Sequence, residues 1–270
     1  MAKSSFRTTE LSDPQFELGG LRFITVKTPH LQGRGDIVVY VPAGDHQRDL
    51  PIVTLMHGVY GSAWIWAFKG AAHVTAARLI EAGEIPPMIL AMPSDGLWGE
   101  GSGYQAHHGR DFEAWITQDV PQAIRENISA ASEQSPLFIS GLSMGGFGAL
   151  RLGAKYGAQY AGISAHSSIT EVEQMKLFVE EDLGNYRQSH RADEDVLTCI
   201  LEHQDSMPPL RFDCGQADQL IAYNRQLHLA LEEAGIPHLY EEFDGGHQWE
   251  YWQTHLVDTL RFFQSVLNPS

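Results

Sequence analysis

The chain has 270 residues, of which 43% are hydrophobic, and carries a formal net charge of −16 at pH 7. This length fits one α/β domain with a large core, and two cysteines are too few for a disulfide scaffold. The acidic charge disfavours binding to nucleic acid or anionic lipid, and no stretch approaches the ~20 apolar residues that a membrane-spanning helix needs.

The first ten residues are polar and lack the apolar core of a secretory signal. We therefore expect a cytoplasmic protein with neither a membrane nor a nucleic-acid partner. No internal repeat, low-complexity tract or linker interrupts the chain, so residues 1–270 are expected to form a single domain. A homo-oligomer is compatible with this sequence.

Eight apolar runs, each bounded by Gly, Pro or polar residues, have the length of β-strands. They are residues 21–26, 37–41, 52–56, 88–92, 137–140, 161–165, 210–214 and 239–243. From the third run onward, helix-like segments separate most of the strands. This alternation predicts an α/β fold with a mostly parallel eight-stranded sheet flanked by helices.

Three segments have the apolar spacing of helices that cover such a sheet. Residues 220–231 and 252–266 are two of them, and the third follows Arg110. Its apolar face comprises Phe112, Trp115, Ile116, Val120, Ile124 and Ile128. Residues 168–208 interrupt the alternation with an acidic stretch and a second helical run, which we interpret as a small helical insertion after the sixth strand, a candidate cap.

The segment Gly141-Leu142-Ser143-Met144-Gly145 has the pattern G-x-S-x-G, directly after a predicted strand and before a helical run. In a nucleophile elbow, a sharp turn from strand to helix holds the nucleophile in strained backbone angles, so its neighbours must be small. We expect Ser143 to be a catalytic nucleophile at the positive end of the following helix. There, the Met144 amide can donate a hydrogen bond to a developing oxyanion.

A serine hydroxyl needs a positioned base, and His247 is the preferred one among 13 histidines. It lies in a loop between the last predicted strand and the terminal helix, in the chain order Ser, acid, His. Asp218 is the preferred acid, because it lies in the loop after the preceding strand. Asp213, within that strand, is the alternative.

The second oxyanion donor is expected in the loop after the third strand, where we select the backbone amide of Val59. His57 is interpreted as a structural residue of this loop. Five aromatic residues near the predicted catalytic loops are candidates for substrate binding, with core packing as the alternative. They are Tyr60, Trp64, Trp98, Tyr104 and Trp249.

Four segments together resemble the esterase family that includes esterase D, over roughly residues 20–265. They are Leu55-Met56-His57-Gly58, Gly141-Leu142-Ser143-Met144-Gly145-Gly146-Phe147-Gly148-Ala149-Leu150, Cys214-Gly215-Gln216-Ala217-Asp218 and Gly246-His247-Gln248-Trp249. The match is best to tributyrin-esterase-like bacterial carboxylesterases. The resemblance implies the α/β-hydrolase fold, with a triad of Ser143, Asp218 and His247 and oxyanion amides at Met144 and Val59.

Other branches of this family include S-formylglutathione hydrolases, feruloyl and acetylxylan esterases, and mycolyltransferases. Formylglutathione hydrolases tend to carry a cysteine just beyond the oxyanion loop, whereas residues 59–64 here contain none. We predict a serine carboxylesterase for a small-molecule ester with a short acyl or aryl group, without metal or cofactor. The alternatives are an S-formylglutathione-type thioesterase, a carbohydrate esterase for acetyl or feruloyl groups, an acyltransferase and a non-catalytic binding protein.

Overall fold

The computed structural model describes residues 4–44 and 48–269, so the first three residues of the polar amino-terminal segment lie outside it. The strands are β1 (Thr9–Leu11), β2 (Leu21–Thr28), β3 (Gly33–Tyr40), β4 (Ile52–Met56), β5 (Ile89–Pro93), β6 (Ala106–His107), β7 (Arg110–Asp111), β8 (Leu137–Leu142), β9 (Gly162–His166), β10 (Leu210–Gly215) and β11 (Leu239–Phe243). The helices are α1 (Ile65–Phe68), α2 (Ala72–Glu81), α3 (Phe112–Ala114), α4 (Val120–Asn127), α5 (Met144–Lys155), α6 (Val196–Glu202), α7 (Ile221–Glu233) and α8 (Trp249–Leu267). A π-helical turn, Trp115–Asp119, joins α3 to α4.

The main sheet has the strand order β1-β2-β3-β5-β4-β8-β9-β10-β11. The six strands from β5 to β11 in this order run parallel, and β1, β2 and β3 pair antiparallel. All eight predicted strands are present, which confirms the mostly parallel α/β fold. The ninth strand, β1, was not predicted, because its three residues have no apolar run and form a strand only by pairing with Ile24, Thr25 and Val26.

The central strands of the sheet are buried on both faces, because side chains alternate along each strand and helices cover both sides. In β4, Ile52 and Met56 pack into the core beneath α4 and α5, whereas Val53 and Leu55 pack into the core beneath α2 and α8. The six apolar residues predicted on one helical face after Arg110 are all buried in the first of these cores. No helix in residues 4–44 and 48–269 is long and apolar enough to cross a bilayer.

The predicted insertion, residues 168–208, contains α6 and four short 3₁₀ turns. A buried ion cluster around Arg151 of α5 connects the insertion to the rest of the fold. The guanidinium contacts Glu113 of α3 and Asp193 of the insertion, and Lys155 bonds to both carboxylates at 2.8 Å. Burial alone would raise the pKa of Glu113, but the charge and hydrogen bond of Arg151, helped by Lys155 and Tyr156, lower it to about 2.

Candidate active site

Three loops that bear predicted catalytic residues leave the same edge of the sheet. Because β8, β10 and β11 are parallel, their carboxyl ends lie together, where α/β folds place their sites. Ser143 follows β8, Asp218 follows β10, and His247 follows β11, two residues before α8 begins. The last two loops are also joined directly, because the Ala217 amide donates to the Gly245 carbonyl at 2.8 Å.

The three side chains form a continuous hydrogen-bonded chain. Nε2 of His247 lies 3.0 Å from Oγ of Ser143, and Nδ1 lies 2.9 Å from Oδ2 of Asp218. A carboxylate can only accept hydrogen bonds, so Nδ1 carries the ring proton and Nε2 is left to accept from the Ser143 hydroxyl. Ser143 and Asp218 are buried, whereas 16% of the His247 side chain is exposed. Of these three hydrogen-bonded side chains, the imidazole is therefore the one exposed to solvent.

The backbone at Ser143 is strained, with φ of 55° and ψ of −119°. This conformation is rare for a residue with a side chain and persists only where the surroundings enforce it. The Ser143 amide donates to the His166 carbonyl at 3.0 Å, and its carbonyl accepts from the Phe147 amide at 3.1 Å. A Cβ atom at Gly145 would lie only 2.4 Å from the Met56 carbonyl oxygen, so the turn needs glycine there.

The two predicted oxyanion donors lie next to Ser143 on different loops. Met144 is the first residue of α5, and Val59 follows β4, which neighbours β8 in the sheet. Among the described residues, neither amide donates to a protein acceptor. The side chains converge on Gly101, where a Cβ atom would lie 2.5 Å from Sδ of Met144 and 3.3 Å from Cγ1 of Val59. Both N–H groups thus lack a protein acceptor in the described part of the chain, as an oxyanion donor would require.

Hydrogen bonds of His57 hold the loop that carries Val59. Nδ1 of His57 donates to the Gly58 carbonyl at 2.7 Å, and Nε2 accepts from the Asp95 amide at 3.1 Å. Tyr104 is fully buried, and its hydroxyl donates to the His57 carbonyl at 3.0 Å. Its assignment to the substrate site was therefore wrong: a completely enclosed ring contributes to loop packing and presents no surface to a ligand.

The other four aromatic residues predicted for substrate binding retain some exposure. Tyr60 and Trp64 are 64% and 47% exposed, and the Tyr60 hydroxyl donates to the Phe178 carbonyl at 2.9 Å. Trp98 is half-buried and stacks on His108. Trp249 is half-buried and packs edge-on against Trp66 and Trp252, at centroid distances of 5.5 and 5.3 Å.

Asp213, the alternative acid, is completely buried in a separate polar cluster beneath the site. Its Oδ2 lies 2.8 Å from Nδ1 of His166 and 2.6 Å from the Arg211 guanidinium, and its Oδ1 accepts from the Tyr251 hydroxyl at 2.7 Å. Although burial opposes ionisation, His166 and Arg211 hold the pKa of Asp213 below its usual range. Both carboxylate oxygens are occupied, and His247 is bonded to Asp218 instead.

Residues 28–263 match a family model named Esterase, whose description is "Putative esterase". This chain belongs to the Esterase family. It is 27% identical over 238 residues to an acetyl esterase of Caldicellulosiruptor saccharolyticus, a match that covers 81% of this chain and 85% of that protein. It is 26% identical over 231 residues to an esterase of Mycobacterium tuberculosis, covering 74% of this chain and 49% of the relative, so it spans about half the mycobacterial protein.

Solved structures of esterases share the fold of this Esterase family member. A ferulic acid esterase has a TM-score of 0.78 at 22% identity, covering 96% of this chain and 99% of that one. An S-formylglutathione hydrolase from Staphylococcus aureus has a TM-score of 0.75 at 16% identity, covering 94% and 98%. These similarities establish the α/β-hydrolase architecture that the resemblance implied.

In this esterase-family chain, two rings flank His247 that sequence reasoning did not assign to the site. Phe178 of the insertion packs against the imidazole at 4.8 Å between centroids, tilted by 31°. Trp252 of α8 meets it perpendicularly at 5.0 Å, and its Nε1 donates to Oγ of Ser167 at 3.1 Å. Phe178 carried no sequence signal, because a lone aromatic residue in an acidic stretch does not indicate its partner.

Proposed function

We propose that this chain is a serine carboxylesterase that hydrolyses small esters of short or aryl carboxylic acids through an acyl-enzyme. The observation that supports this most is the hydrogen-bonded chain from Ser143 through His247 to Asp218, beside two amides that donate to no protein acceptor within the described residues. Such an arrangement supplies a nucleophile, a base, an orienting acid and an oxyanion hole within one edge of the sheet.

In acylation, the Ser143 hydroxyl attacks the ester carbonyl carbon while Nε2 of His247 accepts its proton across the 3.0 Å contact. The resulting imidazolium is stabilised by Asp218, which also keeps the ring in the required tautomer. Negative charge develops on the former carbonyl oxygen, where the amides of Val59 and Met144 bind it. Loss of one such donor costs about 3 kcal/mol in serine proteases that use the same chemistry.

Collapse of the tetrahedral intermediate breaks the bond to the alcohol oxygen, which takes the proton from Nε2 of His247. The acyl group is then bonded to Oγ of Ser143. A water molecule enters next to His247, gives its proton to Nε2 and attacks the acyl carbon, and the reverse collapse frees Ser143 and a carboxylic acid. The 16% exposure of the imidazole is consistent with entry of this water.

The proposed substrate class is supported by the relatives and by the loop after Val59. The family member with the fuller length match is named an acetyl esterase, which favours a short acyl group. The absence of cysteine from residues 59–64 argues against a formylglutathione-type thioesterase. The shared fold with a ferulic acid esterase leaves an aryl ester as a second substrate to test.

The test is Ser143→Ala, assayed with p-nitrophenyl acetate and with a fluorophosphonate probe. The variant should fold but lose both hydrolysis and labelling, because the covalent route requires the hydroxyl. Ser140→Ala is a matched control, since Ser140 is buried three residues earlier and its Oγ has no hydrogen-bond partner among the described residues. Labelling of Ser143→Ala at the parent rate would refute the proposal and favour a non-catalytic role for this site.

A further inference from the structure

Phe178 of the insertion packs against the proposed base, His247, and Tyr60 of the oxyanion loop forms a hydrogen bond to Phe178. The Phe178 ring lies on His247, and the Tyr60 hydroxyl donates to the Phe178 carbonyl at 2.9 Å. Tyr60 directly follows the proposed oxyanion donor Val59 and has a positive φ of 58°, a conformation that is uncommon for a residue other than glycine. The Tyr60–Phe178 contact therefore bridges the two sides of the site beside the imidazole.

This bridge is held by further hydrogen bonds on both sides. The Tyr60 amide donates to the Glu100 carbonyl at 2.8 Å, and the Glu100 carboxylate accepts from the Glu180 amide at 2.6 Å. The Glu100 amide in turn donates to the Glu181 carboxylate at 3.0 Å. A tyrosine hydroxyl is protonated at neutral pH and can donate this hydrogen bond, and partial desolvation with the charge of Glu100 raises the pKa of Tyr60 further.

The chemistry of the proposed reaction determines which part of the ester meets this bridge. The carbonyl oxygen is directed to the amides of Val59 and Met144, and the carbonyl carbon to Oγ of Ser143. The leaving oxygen must lie within hydrogen-bonding distance of Nε2 of His247, because the imidazolium protonates it. The alcohol of the substrate thus meets the imidazole against which Phe178 packs.

We propose that Phe178 and Tyr60 form the wall of the alcohol subsite and restrict this enzyme to esters of small alcohols. The inference rests on the proposed esterase function and adds the part of the substrate that is selected. Phe178 packs against the main core together with Val59, so the wall is fixed and not free to retreat from a larger group.

The test compares two pairs of substrates in the full-length protein. Phenyl acetate and 1-naphthyl acetate differ in the alcohol, and phenyl acetate and phenyl hexanoate differ in the acyl chain. Phe178→Ala should raise kcat/KM for the naphthyl ester relative to phenyl acetate on the order of tenfold, the scale of selection by apolar pocket size. The relative rate with the hexanoate should change by less than about twofold, within ordinary variation for an untouched subsite.

Two further variants make the result decisive. Tyr60→Phe removes only the hydroxyl of an exposed residue. It should raise kcat/KM for the naphthyl ester relative to phenyl acetate by a smaller factor than Phe178→Ala does. This variant decides the question if Phe178→Ala fails to fold. Leu177→Ala is the matched control, because this neighbour of Phe178 is 41% exposed, and it should leave both ratios unchanged.

The proposal would be overturned if kcat/KM for 1-naphthyl acetate relative to phenyl acetate were unchanged in both Phe178→Ala and Tyr60→Phe. It would also be overturned if kcat/KM for phenyl hexanoate relative to phenyl acetate changed by the same factor. If the parent protein hydrolyses phenyl acetate and a fluorophosphonate labels it at Ser143, the esterase function stands. Unchanged substrate preferences in the variants would then refute only the proposed wall. Parent protein that does neither refutes the esterase function itself, and with it the wall.

Discussion

Nδ1 of His247 lies 2.9 and 3.1 Å from the two carboxylate oxygens of Asp218, whereas Asp213 is bonded to His166, Arg211 and Tyr251. Two aspartates five residues apart thus have different surroundings. Asp218→Asn should lower kcat by about 10⁴ with stability retained, because the amide favours the wrong imidazole tautomer. Esterase kinetics combined with urea unfolding measures both effects.

Asp213→Asn is expected to show the opposite pattern. Removing this charge leaves Arg211 buried without its nearest partner, which should lower the free energy of unfolding by about 3 kcal/mol. The folded fraction should still be labelled by a fluorophosphonate, since the contact between His247 and Ser143 does not involve Asp213. A large loss of kcat in folded Asp213→Asn, with Asp218→Asn active, would reverse the assignment of the acid.

Gly145→Ala should destabilise the elbow despite the higher helix propensity of alanine. Its Cβ would lie 2.4 Å from the Met56 carbonyl oxygen, and backbone atoms cannot yield as a flexible side chain can. We expect a loss of about 2 kcal/mol in unfolding free energy and a slower reaction of Ser143 with a fluorophosphonate. Gly33→Ala is the control, because its nearest contact would be 3.6 Å, and it should be close to neutral.

Acid should weaken the attachment of the insertion through Glu113. The pKa of this carboxyl falls from 4.5 to about 2 on folding, so it stabilises the folded state above pH 4.5 and loses that contribution as the pH falls towards 2. The difference corresponds to about 3 kcal/mol. Urea unfolding at pH 7, 4 and 3 should show a decline that is smaller in Glu113→Gln. An equal decline in both proteins would contradict this role.

Negative charge around Tyr60 should select against anionic leaving groups. Glu100, Glu180 and Glu181 meet around Tyr60, and in the described part of the chain none of them forms an ion pair with Lys or Arg. Phenyl acetate should therefore be preferred over 4-acetoxybenzoate, whose leaving phenol carries a carboxylate. The preference should shrink in 0.5 M NaCl and in Glu180→Gln. A preference that salt does not alter would indicate a steric cause.

The prediction of the sheet succeeded because its central strands are rich in apolar residues and helices separate most strands from the third run onward. Each segment carries this pattern locally. The strand of the main sheet that was missed, Thr9–Leu11, has no such run and depends on its neighbour in the sheet. The Tyr104 assignment failed for a related reason. An aromatic residue near a catalytic loop in sequence can face either the core or the cleft, and only burial distinguishes the two.

By itself, the sequence determined the family, the elbow around Ser143 and the chain order of the loops that carry Asp218 and His247. These features are local, because a strained turn demands glycine and a strand demands an apolar run. Tertiary structure alone decided that Asp218 and not Asp213 meets His247, and that Phe178 and Tyr60 meet beside it. Those contacts join residues 29 and 118 positions apart, and their distances depend on how separate loops pack at one edge of the sheet.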